Sequence, residues 1–512
     1  MTQEQNSNMT RIAKNTLFLY IRMFILLAVG LYTARVVLQA LGETDYGIYT
    51  VVGGVVVLFS FLNHALTTAT QRFLSFHIGK EDYEKVSGVF CMSINAYILL
   101  SVIILILAET VGLWFVDTQL NIPEERMDAA LWVYHLSVAT FIINLLRIPY
   151  NASIIAYERM HFFAYLSLIE AVLKLGVIYL LFITNYDRLV FYAALYTIIP
   201  LIINIIYREY CRRNFATTRY RTIWDAKIFR DLFSFSGWTL FGSIANIAAI
   251  QGLNILINIF FGVVLNAAVG IATNVTSHVT QFVSNFQTAF QPQIIKTYAA
   301  GKVDEFNNLL FRTSKFSFYL IFFIALPLLL TTQSFLNIWL TDVPPLAAIF
   351  CQLILIFMII EAISAPLWMA IQATGEIRNY QIIMACCILL NLPLTYLAFI
   401  TGMSAYSCWV IRIVVNVFTV VVRIWYLNRH LNFPVGRFCK NTLWPILKVA
   451  IIAVPVPLVL AMIIPSDLSR LIAVIVVSVV INVPAMYYVG MTKNERQLAV
   501  NLIRTKILRK SE

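Results

Sequence analysis

Arg22, Arg35, Arg147, Lys174, Arg412 and Arg423 lie within or near the ends of long apolar stretches, where only Glu109, Glu170 and Glu361 carry the opposite charge. An arginine facing lipid costs at least about 2.5–3.5 kcal/mol, so such side chains face protein or water and mark candidate functional sites. Some of these nine have a plainer explanation. Glu170 and Lys174 stand at i, i+4 and can pair along one helix. Arg35, Arg423 and Glu109 lie near interfaces and can snorkel. Setting those aside leaves Arg22, Arg147 and Arg412 against Glu361. Surplus guanidinium groups in a wet cleft suit an anion, and their planar fork matches phosphate oxygens. The acids Glu361 and Glu170 are candidates for a different task, binding H⁺ or Na⁺ to couple an ion to a transport cycle. Arg22 and Arg35 are thirteen residues apart, about 220° around an ideal helix, so both face one cavity only if the helix bends, with Gly30 as the candidate hinge. Arg22 is taken as the cavity-facing residue of the two.

Uncharged polar residues form stripes in the same segments. Asn274, Ser277, His278, Gln281, Ser284, Asn285 and Thr288 recur at helical spacing on one face. Similar stripes are Ser60, Asn63, Thr67, Thr70 and Gln71; Ser243, Asn246, Asn254 and Asn258; Glu361, Ser364, Trp368 and Gln372; and Arg412, Asn416, Thr419 and Arg423. Interhelical hydrogen bonding accounts for any one of them. Five together, several holding charge, point to a shared hydrophilic cavity. Amides and hydroxyls offer many donors and acceptors and little charge, which suits sugars.

The elements that must carry these residues follow from composition. Of 512 residues, 60% are hydrophobic and 12% charged. A soluble domain cannot hide so much apolar surface, so the solvent for most of the chain is lipid. Fourteen continuous apolar runs are long enough to span, at about 16–38, 46–69, 88–114, 130–156, 162–183, 189–207, 232–258, 264–289, 313–333, 346–372, 380–400, 404–427, 444–464 and 470–491. The runs do not alternate, so the expected fold is an all-α integral membrane protein. The first run has no small-residue cleavage site after it and reads as a retained span, not a signal peptide.

Loops on the side of the termini hold 27 Lys and Arg residues, among them the basic run Arg208, Arg212, Arg213, Arg219, Arg221, Lys227 and Arg230; the opposite loops hold 3, Arg126, Arg188 and Arg470. This bias places both termini in the cytoplasm and accounts for most of the net charge of +12 without nucleic acid. The seven cysteines form no C-x-x-C pair and read as small apolar filler.

The passage LNHALTTATQRFLSFHIGK (62–80) has a counterpart in VSNFQTAFQPQIIKTYAAGK (283–302), each closing on Gly-Lys and each some 31–32 residues after a glycine, Gly47 or Gly270. Trp114 pairs with Trp339, and Pro149-x6-Ala156 with Pro366-x6-Ala373. The expected architecture is two pseudo-symmetric six-helix lobes of like orientation plus two appended helices. The borders are 1–220 for the first lobe, 221–430 for the second, and 431–512 for the appended spans and basic tail. In such transporters the substrate path lies between the halves. No P-loop, H-E-x-x-H motif, paired metal carboxylates or nucleophile elbow is present. The expectation is a protein without catalytic residues, metal or cofactor.

Four stretches carry a family resemblance: ARVVLQALGETDYGIYTVVGG (34–54), TATQRFLSFHIGK (68–80), PYNASIIAYERMHFFAY (149–165) and AFQPQIIKTYAAGK (289–302). They resemble the multidrug/oligosaccharidyl-lipid/polysaccharide (MOP) exporter superfamily, specifically its polysaccharide transporter and O-antigen flippase branch. The resemblance implies a bacterial inner-membrane flippase working by alternating access on polyprenyl-pyrophosphate-linked oligosaccharides. It implies the bilayer and lipid-linked substrate as partners, with a glycan polymerase or glycosyltransferases as further ones. No binding residue transfers by motif. The candidate substrate-binding set therefore rests on burial and helix face: Arg22, Arg35, Arg147, Lys174, Asn274, His278, Gln281, Asn285, Arg412 and Asn416, with Glu170 and Glu361 for ion coupling. Pro149, Pro327, Pro366 and Gly30 are candidate bending points. The rival expectations are a cation-coupled multidrug exporter of the same superfamily and a membrane enzyme of glycan assembly. An acid-rich aromatic lumen would suit the first, and a sizeable extramembrane platform the second.

Overall fold

The computed structural model describes residues 18–497 and 500, except 27–28, 30–31, 34–35, 38, 43, 50, 54–59, 121, 182–185 and 341. Arg35 and Gly30 lie outside the described residues. Every regular element among them is helical. Eleven helices are long and apolar enough to cross a bilayer, from Tyr83–Thr118 to Asp467–Gly490. The helices Ser60–Gly79 and Val263–Ala299 fall short of that apolarity because they carry polar stripes, and the first expected span is described only in part. Apolar side chains such as Ile259, Val264, Met462 and Ile463 are 64–79% exposed, a surface only lipid can cover.

Local chemistry sets the helix ends. Asp82 caps the helix Tyr83–Leu107 by accepting from Lys85 N, and Asp187 caps Arg188–Asn214 by accepting from Leu189 N and Val190 N. Pro149, Pro327 and Pro366 lie inside continuous helices, and hydroxyls four residues on donate to two of the proline carbonyls, Ser153 Oγ to Pro149 O and Thr331 Oγ1 to Pro327 O.

Residues 15–240 form one compact unit, and the chain from 241 onward belongs to the other. The division falls inside the helix Ala226–Phe261, whereas the sequence reading put the border at 220/221, in the loop before it. The two appended spans belong to the second unit. Ile446, Val449 and Met486 pack with Phe318, Tyr319 and Phe322 of the helix Val303–Leu330, and a buried Lys315–Glu495 ion pair of 2.7 Å fastens the chain end beside them.

The duplication shows most clearly in backbone residues of positive φ. Gly42 and Glu81 are 39 apart (81 − 42), and so are Gly262 and Gly301 (301 − 262). Glu158 follows Pro149 by nine residues (158 − 149), as Gly375 follows Pro366 (375 − 366). Glu81, Gly262, Gly301, Glu158 and Gly375 each separate one helix from the next, a position glycine takes without strain. The first pair of matches is therefore offset by 220 residues (262 − 42, 301 − 81) and the second by 217 (375 − 158, 366 − 149). This corrects the register read from Gly79-Lys80: Gly79 is the last helical residue, and the counterpart of Gly301 is Glu81. The Gly-Lys dipeptides are displaced by two residues because the left-handed position tolerates glutamate in one copy.

Candidate functional site

In the unit 15–240, a cavity of about 500 Å³ opens among the helices Met127–Ala156, Met160–Leu180 and Arg188–Asn214 and residues 22–49. Arg22, Arg147, Glu170 and Lys174 line it, together with the tyrosines 46, 49, 192, 196 and 207. Arg147 Nη1 donates to Glu170 Oε2 at 3.0 Å, and Lys174 Nζ donates to Glu170 Oε1 at 2.8 Å. One carboxylate thus serves two cations from two helices. Arg22 lies over the Phe163 ring, 4.5 Å from its centroid. No carboxylate among the described residues pairs with it, and its Nε has no hydrogen-bond partner among them. Among the described lining residues, three cations against one carboxylate give +2 (3 − 1).

The tyrosines pack on one another and on the cations. Tyr49 meets Tyr192 edge-on at 5.1 Å, Tyr192 meets Tyr196 at 5.4 Å, and the Lys174 ammonium sits 4.8 Å over the Tyr196 ring. Aromatic faces hold a cation and also present an apolar platform with a polar rim. Sequence reasoning missed these rings. Their spacing, i, i+3 for Tyr46 and Tyr49 and i, i+4 for Tyr192 and Tyr196, was the signal available.

The other expected residues lie in the unit beginning at 241. On the helix Val263–Ala299, Asn274, Ser277, His278 and Gln281 are exposed on one face, while Val275, Val279 and Val283 are buried on the opposite one. A polar face on a helix of membrane length needs water. Asn285 departs from this stripe: it is 5% exposed, and its Nδ2 has no partner among the described residues.

The stripe of the helix Ser407–Leu431 is internal. Arg412, Asn416, Thr419 and Arg423 are all buried. Asn416 Nδ2 donates to Phe357 O at 3.3 Å, and Arg412 lies over the rings of Phe357 and Trp409 at 4.8 and 4.7 Å. Arg423 does not snorkel. It donates to Tyr380 Oη at 2.7 Å and to Ser364 O at 3.0 Å, and its Nη1 lies 3.4 Å from Glu361 Oε1. Thr70 likewise bonds Tyr97 inside the first unit. Three of the five stripes thus take part in helix–helix contacts, and the charge balance changes with them. Arg147 is paired with Glu170, and Glu361 is paired with Arg423 instead of balancing the free arginines. Arg22 and Arg412 remain without a carboxylate among the described residues. Glu109 Oε1 lies 3.0 Å from His135 Nδ1.

The few cations of the sparsely basic side are all held locally. Arg126 binds Asp45 at 2.7 Å and also Asp187; Arg188 donates to Ala40 O; and Arg470 reaches Asp467, Ser334 and Ile464 O. Among the described residues, no group of three His, Cys, Asp or Glu side chains could hold a metal ion.

The folded chain is a multi-pass helical membrane protein. Residues 253–397 match the MatE family model. Several solved structures share the fold. One is a MOP superfamily transporter from Pyrococcus furiosus whose binding pocket is described as having reverse polarity, suggesting a different function. It is 13% identical, with a TM-score of 0.67 over 84% of this chain and 99% of that one. An outward-facing multidrug resistance MATE family transporter of the MOP superfamily is 15% identical, with a TM-score of 0.68 over 85% of this chain and 99% of that one. A MATE structure in the bent conformation is 14% identical, with a TM-score of 0.68 over 84% and 98%. No curated protein matches the chain in sequence. The fold is that of MATE transporters, and nothing in these likenesses bears on polysaccharides.

Proposed function

We propose that this chain is a MATE-type transporter whose substrate is an amphiphile with an anionic, phosphate-bearing head. The observation that carries this reading is the +2 lining of the cavity in the unit 15–240, with Arg22 unpaired by any carboxylate among the described residues. The head binds at Arg22, assisted by Arg147 and Lys174, whose shared Glu170 leaves them partly uncompensated. Neighbouring tyrosine faces receive the body of the substrate. A polyprenyl-pyrophosphate-linked oligosaccharide has this chemistry. The Lys/Arg bias puts both termini in the cytoplasm, so export runs from the inner to the outer leaflet. Carrying about two negative charges outward across 100 mV releases about 4.6 kcal/mol, which can drive the loaded step without an ion gradient.

The second reading is a cation-coupled multidrug exporter. The MatE match and the solved relatives favour this branch over the polysaccharide one. Aromatic rings and Glu170 in the cavity also suit a cationic drug. The test is transport in proteoliposomes at clamped potential, with a fluorescent polyprenyl-pyrophosphate saccharide and a cationic dye as alternative substrates. Flipping of the pyrophosphate lipid supports the first reading, and dye export coupled to H⁺ or Na⁺ supports the second.

A further inference from the structure

The chain between the helices Arg188–Asn214 and Ala226–Phe261 does more than connect them. Phe215 stacks on Tyr157 at 4.2 Å, and Thr217 Oγ1 lies 2.8 Å from Tyr157 Oη. Thr218 Oγ1 donates back to Cys211 O. Beyond the turn, Arg221 N donates to Cys91 Sγ, Asn95 Nδ2 donates to Ile223 O at 3.1 Å, and Tyr220 Oη donates to Asn95 Oδ1 at 2.8 Å. Asp225 caps the next helix by accepting from Lys227 N and Ile228 N. The segment is therefore strapped along the helix Tyr83–Leu107.

This strapping points a cationic array outward. Arg208, Arg212, Arg213, Arg219, Arg221, Lys227 and Arg230 are all exposed. The acids within residues 208–231 are Glu209, Asp225 and Asp231, so the net charge is +4 (7 − 3). Glu209 pairs with Arg213, and Asp225 is engaged as a helix cap. Interleaved with the cations are Tyr220, Ile223 and Trp224, which are 49%, 37% and 65% exposed. Exposed tryptophan and tyrosine beside basic residues at the end of membrane spans is the composition of a lipid–water interface.

We propose that residues 208–230 form a docking surface for the anionic headgroups of bilayer phospholipids such as phosphatidylglycerol. The phosphates lie against the guanidinium groups, and Trp224 and Ile223 enter the headgroup layer. The strap holds the cations in place before any lipid binds, so little ordering entropy opposes docking.

The test is quenching of Trp224 in the full-length protein reconstituted in phosphatidylcholine vesicles. The Trp224 signal is the difference between the wild type and Trp224→Phe. Brominated phosphatidylglycerol and brominated phosphatidylcholine are compared at equal mole fraction. At low salt, the anionic lipid should quench Trp224 more strongly by at least about threefold, because basic residues gather anionic headgroups at the membrane surface. Replacing Arg219, Arg221, Lys227 and Arg230 together by Gln, all exposed positions, should bring the two lipids to equality. Equal quenching in the wild type overturns the proposal, as does a preference for the anionic lipid that survives the four substitutions.

Discussion

Arg147 Nη1 and Glu170 Oε2 meet at 3.0 Å across two helices, and the same carboxylate also holds Lys174. Glu170→Gln removes the only carboxylate among the described lining residues and takes their charge from +2 to +3. Breaking a partly buried pair costs about 1–3 kcal/mol, less than for a fully buried one. Thermal unfolding in detergent should show that loss. Affinity for an anionic amphiphile should rise in the same variant, whereas a variant merely misfolded around the cavity would lose both.

Arg423 and Glu361 are partners of unequal burial, with side chains 8% and 39% exposed. Arg423→Leu leaves Tyr380 Oη and Ser364 O without their donor and should cost about 3–5 kcal/mol. Glu361→Gln should cost under about 1 kcal/mol, because its carboxylate is wet and only 3.4 Å from one nitrogen. Transport should survive Glu361→Gln at clamped potential. Abolished flipping with intact folding would instead make Glu361 the coupling group.

Tyr134 Oη donates to Ala108 O at 2.6 Å, at the start of the π-helical turn Ala108–Gly112. A Cβ at Gly112 would collide with that hydroxyl. Gly112→Ala should therefore cost about 1–3 kcal/mol through the displaced hydroxyl and its lost hydrogen bond. In Gly112→Ala/Tyr134→Phe the clash is relieved, and the double variant should be more stable than the sum of the two single losses, as read from melting curves.

Asp187 lies just before its span and can be titrated from water. Burial opposes its ionisation, but Arg126 and the amides of Leu189 and Val190 outweigh this and hold the carboxyl below the usual carboxylate range. A depressed folded value stabilises the protein above the unfolded value of about 3.9, and that stability fades as pH falls through the folded value. Asp187→Asn should thus destabilise by up to about 1 kcal/mol at neutral pH, given its exposure. The gap from wild type should narrow as the pH is taken below the unfolded value of about 3.9. A gap that is constant with pH would remove the electrostatic explanation.

The spans were legible in the sequence because lipid imposes long apolar runs, and the polar stripe of 274–281 was legible because helical periodicity reveals a face. The Glu170–Lys174 pair was visible for the same reason, as neighbours on one helix. Arg147 with Glu170 and Arg423 with Glu361 were not, since they join helices whose relative rotation no local pattern records. The repeat was visible, but its register was not. The sequence aligns Gly79-Lys80 with Gly301-Lys302, while the backbone in one copy uses Glu81 in the left-handed position.

The central claim is that the cavity of the unit 15–240 receives an anionic head at Arg22. The most direct measurement is equilibrium binding of a short-chain polyprenyl pyrophosphate to the purified full-length protein, with a cationic dye of similar hydrophobicity in parallel, for wild type and Arg22→Ala. The pyrophosphate should bind and the dye should not, and Arg22→Ala should weaken the pyrophosphate about tenfold or more, the loss of one charge-assisted hydrogen bond. Tight binding of the dye without the pyrophosphate, or pyrophosphate binding indifferent to Arg22, would contradict it.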